Sequence, residues 1–366
     1  MGYVAVKGGE EAIENAARLL VYERVKGRSK PLAVNQIQEQ LHLAVDRVMS
    51  EGSLYAPHIA ALALKQAAGD TFEAAFMVRA YRATEPRIAS SVPLSTKRMR
   101  VIRRISAAFK DVPGGQILGA TTDYTIRLLD FDLSSDSESK RRVFMKQLTS
   151  RCSGAQSLPD SFPKIVELLR NEGLVVDPSH ECQQESAIID ITRASLTFPA
   201  GRSAAMQTMA RGETGGLLLL AYSSMRGYGD IHPTIGELRV GYLPVVVRHP
   251  YTKEEIPAGE VKVTEAEVIA KFSDKSGTPK FTLGYGLCFG HNEVKAISMA
   301  VLDRSMQGQR QSIPSENQEF VLSHVDGVES MGFCIHYKLP HYVTFQSDLD
   351  RLRKAQKTVP LLRSGR

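Results

Sequence analysis

The sequence contains no tryptophan, only four cysteines, no apolar run longer than a few residues and only a small excess of positive charge. Each shortage narrows the function. Cys152, Cys182, Cys288 and Cys334 are widely scattered without a C-x-x-C pair. Neither a disulfide framework nor an iron–sulfur or zinc site held by this chain's cysteines is signalled. The longest apolar run, Leu217 to Tyr222, is far too short for a bilayer, and MGYVAVKGG lacks the basic start and apolar stretch of a secretory signal. A soluble cytoplasmic protein without membrane contact is expected. Missing tryptophan and sparse aromatics around Ser95 to Lys110 argue against a nucleic-acid partner. A net charge of +6 favours anionic ligands without choosing between phosphorylated metabolites and acidic protein surfaces.

What is present is a globular composition, 43% hydrophobic and 23% charged, sufficient for one large core or two smaller ones. A strand-like VAV leads into Lys7-Gly8-Gly9, and a helical pattern follows through Ile13, Ala16, Ala17, Leu20 and Tyr22. Helical spacing continues at Ile37, Leu41, Ala44, Val45 and Val48 up to Gly52. It returns at about Pro57 to Ala68 and Thr71 to Arg82. Ser95 to Lys110 reads as a basic amphipathic stretch, Thr121 to Phe131 as β-rich, and Ser134 to Arg142 as a surface linker or insertion. A second polar region, Pro178 to Glu185, precedes an expected strand at Ala187 to Ile191. A helix is predicted at Ser203 to Met225, strands at Glu237 to Val247 and Glu260 to Phe272, and a helix at Asn292 to Met306 after Gly284-Tyr285-Gly286. The fold class is α+β. A mainly helical N-terminal region (1–131) ends in a strand, a variable linker or insertion (132–185) follows, and a mixed α/β region (186–366) completes the chain. No repeat of 20 to 50 residues recurs, which argues against solenoids and propellers.

Several segments could carry chemistry. The turn at Lys7, Gly8 and Gly9 can offer backbone N–H groups, an ammonium and a helix N-terminus to a phosphate, or can simply be a tight turn. Arg98, Arg100, Arg103, Arg104 and Lys110 lie close to Pro113-Gly114-Gly115, either as a cationic rim beside a flexible loop or as a solvated helix face. Arg226-Gly227-Tyr228-Gly229-Asp230-Ile231-His232-Pro233, with Glu237 and Arg239 following, gathers a guanidinium, a phenol, carboxylates and an imidazole. Cleaving an N-glycosidic bond needs such a set: a cation for a phosphate tail, a carboxylate near the oxocarbenium charge and an acid for the leaving base. A hydrogen-bonded turn is the plainer alternative. His336 and His341 are separated by a proline-containing tetrapeptide, so a turn rather than one helix would bring both to one metal. Two ligands do not complete a zinc site.

Read together, the blocks VAVKGG (Val4 to Gly9), LAVDRVMSEG (Leu43 to Gly52), ALALKQAAGD (Ala61 to Asp70), KDVPGGQILG (Lys110 to Gly119), RGYGDIHPTIGELRVGY (Arg226 to Tyr242) and KLPHYVTFQ (Lys338 to Gln346) resemble the PhnI family of the carbon–phosphorus lyase core complex. The match runs from Val4 to Phe345 and is weakest over about Asp132 to Glu185. The resemblance implies a subunit that acts on ATP or GTP, releases the purine and, with companions, attaches the ribose triphosphate to methylphosphonate. Acting alone it would be a nucleosidase. The implied companions are the G, H and J subunits, with the ATP-binding-cassette-type subunits K and L. Subunit J would be the radical enzyme with the iron–sulfur chemistry, so no such cluster is expected on this chain alone. The family's paired histidines fall on His336 and His341, which implies a metal-linked site, zinc by its donors, shared with J. Cys334 and His291 do not match the family pattern. Combining both lines, Lys7, Gly8, Gly9, Arg226 and Arg239 are candidates for binding the triphosphate. Glu237 or Asp123 would stabilise the oxocarbenium charge, and His232 or Tyr228 would protonate the purine. The rival expectation is a non-catalytic scaffold that only completes the J subunit's site.

Overall fold

The computed structural model describes residues 9–125, 127–151, 162–176, 188–226, 233–273, 279–307, 313–337 and 342–363. The architecture is α+β: N-terminal helices, then a four-stranded antiparallel sheet with helices packed on it.

Helix α1, Glu10–Val25, begins on two acids and ends on Arg24, each suited to the dipole at its end. None of its residues is buried. The periodicity from Ile37 to Gly52 resolves into two helices, α2 (Val34–Gln40) and α3 (His42–Gly52), because Leu41 leaves helical geometry at φ −110°, ψ 36°. Helix α4 (Pro57–Gln66) starts on proline, whose missing N–H costs nothing in the first turn. Helix α5 (Thr71–Thr84) is capped by Asp70, which accepts from the amides of Phe72 at 2.9 Å and Glu73 at 3.2 Å. Ile37, Val45, Val48, Met49, Leu64 and Val78 unite α2 to α5 around one core.

Residues 100–105, expected within a basic amphipathic stretch, form strand β1, Arg100–Ile105. The β-branched residues Val101, Ile102 and Ile105 favour the extended form. Residues 121–125 and 127–131, read as β-rich, contain no strand. The polar stretch after Ser134 becomes helix α6, Glu138–Arg151, on which Glu138 accepts hydrogen bonds from Arg141 and Arg142. Those bonds hold the Glu138 carboxyl down at about 2. Helix α7 (Ile165–Asn171) follows. No strand forms at 188–191.

The single helix expected over Ser203 to Met225 is two, α8 (Arg202–Arg211) and α9 (Thr214–Met225). Between them Glu213 caps α9, accepting from Gly215 N at 2.7 Å and Gly216 N at 2.6 Å. The long strands β2 (Thr234–Arg248) and β3 (Glu255–Ser273) contain the two expected at Glu237 to Val247 and Glu260 to Phe272, and β4 (Lys280–Phe289) adds a third. Helices α10 (Glu293–Met306), α11 (Gln318–His324), α12 (Gly327–His336) and α13 (Tyr342–Arg363) complete the order.

The sheet runs β1-β2-β3-β4, every pair antiparallel, with β1 at one edge. One face carries Leu238, Ala266, Val268 and Cys288 against Met299, Ala300 and Val301 of α10. The other is covered by Phe162 over Met99, Leu243 and Val263, and by Leu169 of α7 and Val175 over Ile269. Gly284 and Gly286 lie within β4 rather than before a helix, and their spacing of two puts both on the α10 face. A Cβ on Gly284 would sit 1.9 Å from the Ala300 carbonyl oxygen, and one on Gly286 would sit 2.0 Å from that of Ala296. The missing side chains let α10 lie directly on the strand. Gly286→Ala should therefore push the helix off and cost about 1–3 kcal/mol in urea unfolding. No helix among the described residues is long and apolar enough to cross a membrane.

Candidate functional site

The polar heart of the structure is organised by two neighbours on β1, Arg103 and Arg104. Successive strand residues face opposite sides of a sheet, so each guanidinium serves a different cluster. Both are essentially without solvent exposure, although an arginine is almost never fully buried without a partner.

Arg104 donates from Nε to Glu237 Oε1 at 2.6 Å. Its terminal nitrogens reach the carbonyls of Pro113 at 2.9 Å, Gly115 at 2.6 Å and Pro163 at 2.8 Å. The Pro113-Gly114-Gly115 loop thus wraps a protein cation with its own carbonyl oxygens. Gly114, at φ +82°, holds a conformation that L side chains rarely adopt. Arg100 pairs with Glu260 at 2.7 Å and lies over the Tyr242 ring at 4.6 Å. The basic stretch is therefore not a continuous rim of free cations.

Glu237 continues into a network between the sheet and its α7-side cover. Arg239 hydrogen-bonds Glu265 from two nitrogens and lies 3.8 Å from Glu237. Glu265 also accepts from Lys164 Nζ at 2.8 Å, Thr96 Oγ1 at 2.7 Å and Tyr285 Oη at 3.0 Å. Lys164 reaches Glu267 at 3.0 Å. Three cations, Arg104, Arg239 and Lys164, balance three carboxylates, Glu237, Glu265 and Glu267. Such balance is what allows charge inside a fold. Burial alone would raise the Glu265 pKa, but Arg239 and Lys164 outweigh it and hold the carboxyl at about 2. Glu267 goes the other way, its carboxyl raised chiefly by burial. Glu237 Oε2 and Glu267 Oε2 are enclosed without a hydrogen-bond partner among the described residues.

Arg103 organises the second cluster. It donates to Glu293 at the start of α10, to Asp123, and to the Leu118 carbonyl at 2.5 Å. His291 Nε2 lies 3.6 Å from Glu293 Oε1. The His291 amide donates to Asp46 Oδ2 at 2.9 Å, and Lys262 Nζ meets the same oxygen at 2.8 Å. Burial opposes ionisation of Glu293, yet hydrogen bonds from His291 and Arg103 prevail and its pKa is lowered. The Asp123 carboxyl is lowered by a hydrogen bond from Thr121 together with the Arg103 charge. With 40% of its side chain exposed, Asp123 is an ionised carboxylate that solvent or a ligand can reach while a buried arginine fixes one oxygen.

Among the candidates chosen from sequence, the structure therefore brings Glu237 and Arg239 into one enclosed network and places Asp123 in the adjoining, open cluster. Both Glu237 and Arg239 are only 1% exposed, so contact with a substrate requires this network to open. Arg226 caps the C-terminus of α9, is exposed, and donates to the Tyr222 hydroxyl at 2.7 Å. Gly9 immediately precedes α1. Lys7, Gly8, Tyr228, His232 and His341 lie outside the described residues. His336 ends α12, and α13 starts at Tyr342. Among the described residues no group of three or more His, Cys, Asp and Glu could hold a metal. Lys164, Glu265, Glu267, Tyr285 and Glu293 were missed from sequence. The one available signal was charged residues alternating inside otherwise apolar strands, T-E-A-E-V above all.

Comparison with known proteins gives a consistent result. The family model described as bacterial phosphonate metabolism protein (PhnI) matches residues 2–359. A Stutzerimonas stutzeri protein provisionally named C-P lyase subunit HtxH is 57% identical, over 97% of this chain and 96% of its own. The alpha-D-ribose 1-methylphosphonate 5-triphosphate synthase subunit PhnI of Escherichia coli is 46% identical over 97% of this chain and 98% of its own length. The protein of the same name from Rhizobium meliloti is 42% identical over 99% and 97%.

Proposed function

Since the chain belongs to the PhnI family of bacterial phosphonate metabolism proteins, we propose that it is the subunit of a ribose 1-methylphosphonate 5-triphosphate synthase that opens the glycosidic bond of a purine nucleoside triphosphate. The observation that carries this reading is the 46% identity to the Escherichia coli subunit over nearly the whole of both chains.

In the proposed reaction the anomeric carbon of ATP or GTP loses its purine and gains an oxygen of methylphosphonate. The C–N bond breaks with its electron pair on the base, the base takes a proton, and a C–O bond forms. With water as the acceptor, the same events make a nucleosidase. Such a transition state spreads positive charge over the ribose ring, and a fixed carboxylate stabilises that charge without reorganising. Asp123, ionised and steered by Arg103, suits this role. His232 or Tyr228 would protonate the base. Arg226 and the Lys7-Gly8-Gly9 segment would take the triphosphate, which anchors the sugar for attack. Glu237 and Arg239, enclosed beneath β1, support the site from behind by fixing Arg104, next to Arg103 in the strand.

The imidazoles of His336 and His341 are of the donor type that zinc takes. They would hold it at an interface where the J subunit completes the ligand set, and the metal would supply a fixed junction between chains. The G, H, K and L subunits are the other companions proposed.

The experiment is a reconstitution with all companion subunits, ATP or GTP and methylphosphonate, following purine release by chromatography. Release should require this chain and should yield a phosphonate ester of ribose triphosphate. Equal release without the chain would overturn the reading.

A further inference from the structure

Helix α1 is exposed along its whole length, and no residue of it joins any of the four apolar clusters that hold the described residues together. A lone helix of 16 residues is marginal in water, and most helical stability in proteins comes from packing one apolar face. Helix α1 has such a face. Ile13, Ala16, Ala17, Leu20 and Val21 follow the i, i+3, i+4, i+7, i+8 spacing of a single stripe. Ile13 is 69% exposed and Leu20 74%, so the stripe is open to a partner.

The charges on the helix say which partner fits. Glu10 precedes Ile13 by three residues and Arg24 follows Val21 by three, so an acid closes one end of the stripe and a base the other. Arg18 pairs with Glu14 at 3.3 Å and Lys26 with Glu23, whereas Glu10 and Arg24 have no ion pair among the described residues. Reversed end to end, the stripe is its own complement. In an antiparallel pair crossing at Ala17, Glu10 of one copy meets Arg24 of the other and Ile13 meets Val21, and a two-fold axis repeats both contacts. Alanines at 16 and 17 place small side chains at the crossing, which lets the two axes approach to roughly 8 Å. A parallel pair would set acid against acid and base against base.

We propose that α1 pairs antiparallel with α1 of a second copy of this chain, through the Ile13 to Val21 stripe closed at both ends by Glu10 and Arg24. The pairing rests on none of the chemistry proposed above. Two helices about 24 Å long make a small contact, so the association is reversible and falls in the micromolar range.

The test is sedimentation equilibrium of the full chain at micromolar concentrations, which should show a monomer in exchange with a dimer. Arg24→Glu opposes acid to acid at both ends at once and should weaken dimerisation by about tenfold. Glu10→Arg combined with Arg24→Glu exchanges the two charges and should return the dissociation constant to within about threefold of the parent. Both positions are exposed, so circular dichroism should report an unchanged fold in each variant. Ala17→Cys, on the two-fold axis, should give a disulfide-linked dimer in excess of the parent under mild oxidant, and Tyr22→Cys, about 140° round the helix, should not. A chain that stays monomeric throughout, a dimer that Arg24→Glu leaves intact, or a charge exchange that fails to restore pairing would each overturn the proposal. The first of these would leave the stripe to a different protein.

Discussion

Replacing Arg239 with methionine should lower the unfolding free energy by about 3–5 kcal/mol, the usual cost of removing one partner from a buried ion pair. The side chain is 1% exposed and lies between Glu265 and Glu237. Methionine occupies the space but leaves those carboxylates short of a cation in a place water does not reach. Removing the matching charge as well, in Arg239→Met with Glu265→Leu, should recover part of the loss, because a desolvated pair is worth much less than its broken half. The pH dependence follows from the carboxyls. Glu265 is held at about 2 in the fold, below its unfolded value, so its contribution is fully present above the ordinary glutamate range and is lost as pH falls towards 2. Glu267 has the opposite sign, since its raised pKa means that ionisation on rising pH costs stability. In Arg239→Met the pull on Glu265 weakens, and acid unfolding should begin at higher pH. Urea and acid titrations followed by circular dichroism read both effects. A loss below about 1 kcal/mol would show that the network is not held together through Arg239.

The same residues show what the sequence could and could not convey. Strands β2 and β3 were legible because valines and other apolar residues recur along them, as in Val245-Val246-Val247 and Val261-Lys262-Val263, and α10 because its period survives from Asn292 to Met306. Strand β1 was not, since arginines at 100, 103 and 104 resemble a solvated helix until Glu237 and Glu293, more than a hundred residues away, neutralise two of them. Charge normally signals exposure, and only tertiary pairing reverses that reading. Strand β4 was hidden for a related reason. Gly284 and Gly286 read only as the approach to the following helix, whereas the fold needs them bare within a strand so that α10 can approach. The break at Leu41 has no local signal, and its neighbours on both sides keep helical spacing. Of the site, the RGYG-to-Arg239 segment was recognisable as polar chemistry, but the long-range joining of Asp123 to Arg103, Glu293 and His291 was not, because no spacing in the chain encodes it.

Asp123→Asn should reduce kcat for purine release by about 100- to 1,000-fold in the reconstituted assembly, the range expected when a preorganised electrostatic contact to a transition state is lost. Asparagine preserves the shape and an oxygen that can accept from Arg103, so the cluster's geometry is retained and the negative charge alone is removed. The charge matters most when the ring becomes cationic and little while neutral ribose is being bound. KM should accordingly stay within about threefold while kcat falls, which is the pattern of an interaction made only in the transition state. The fold should tolerate the change because Asp123 is 40% exposed and Arg103 keeps its bonds to Glu293 and the Leu118 carbonyl. A structural role would instead lower the unfolding midpoint and raise KM together. If kcat in the Asn variant equalled that of the parent, the carboxylate would not face the developing charge, and the stabilising carboxylate would have to be sought at Glu293 in the same cluster.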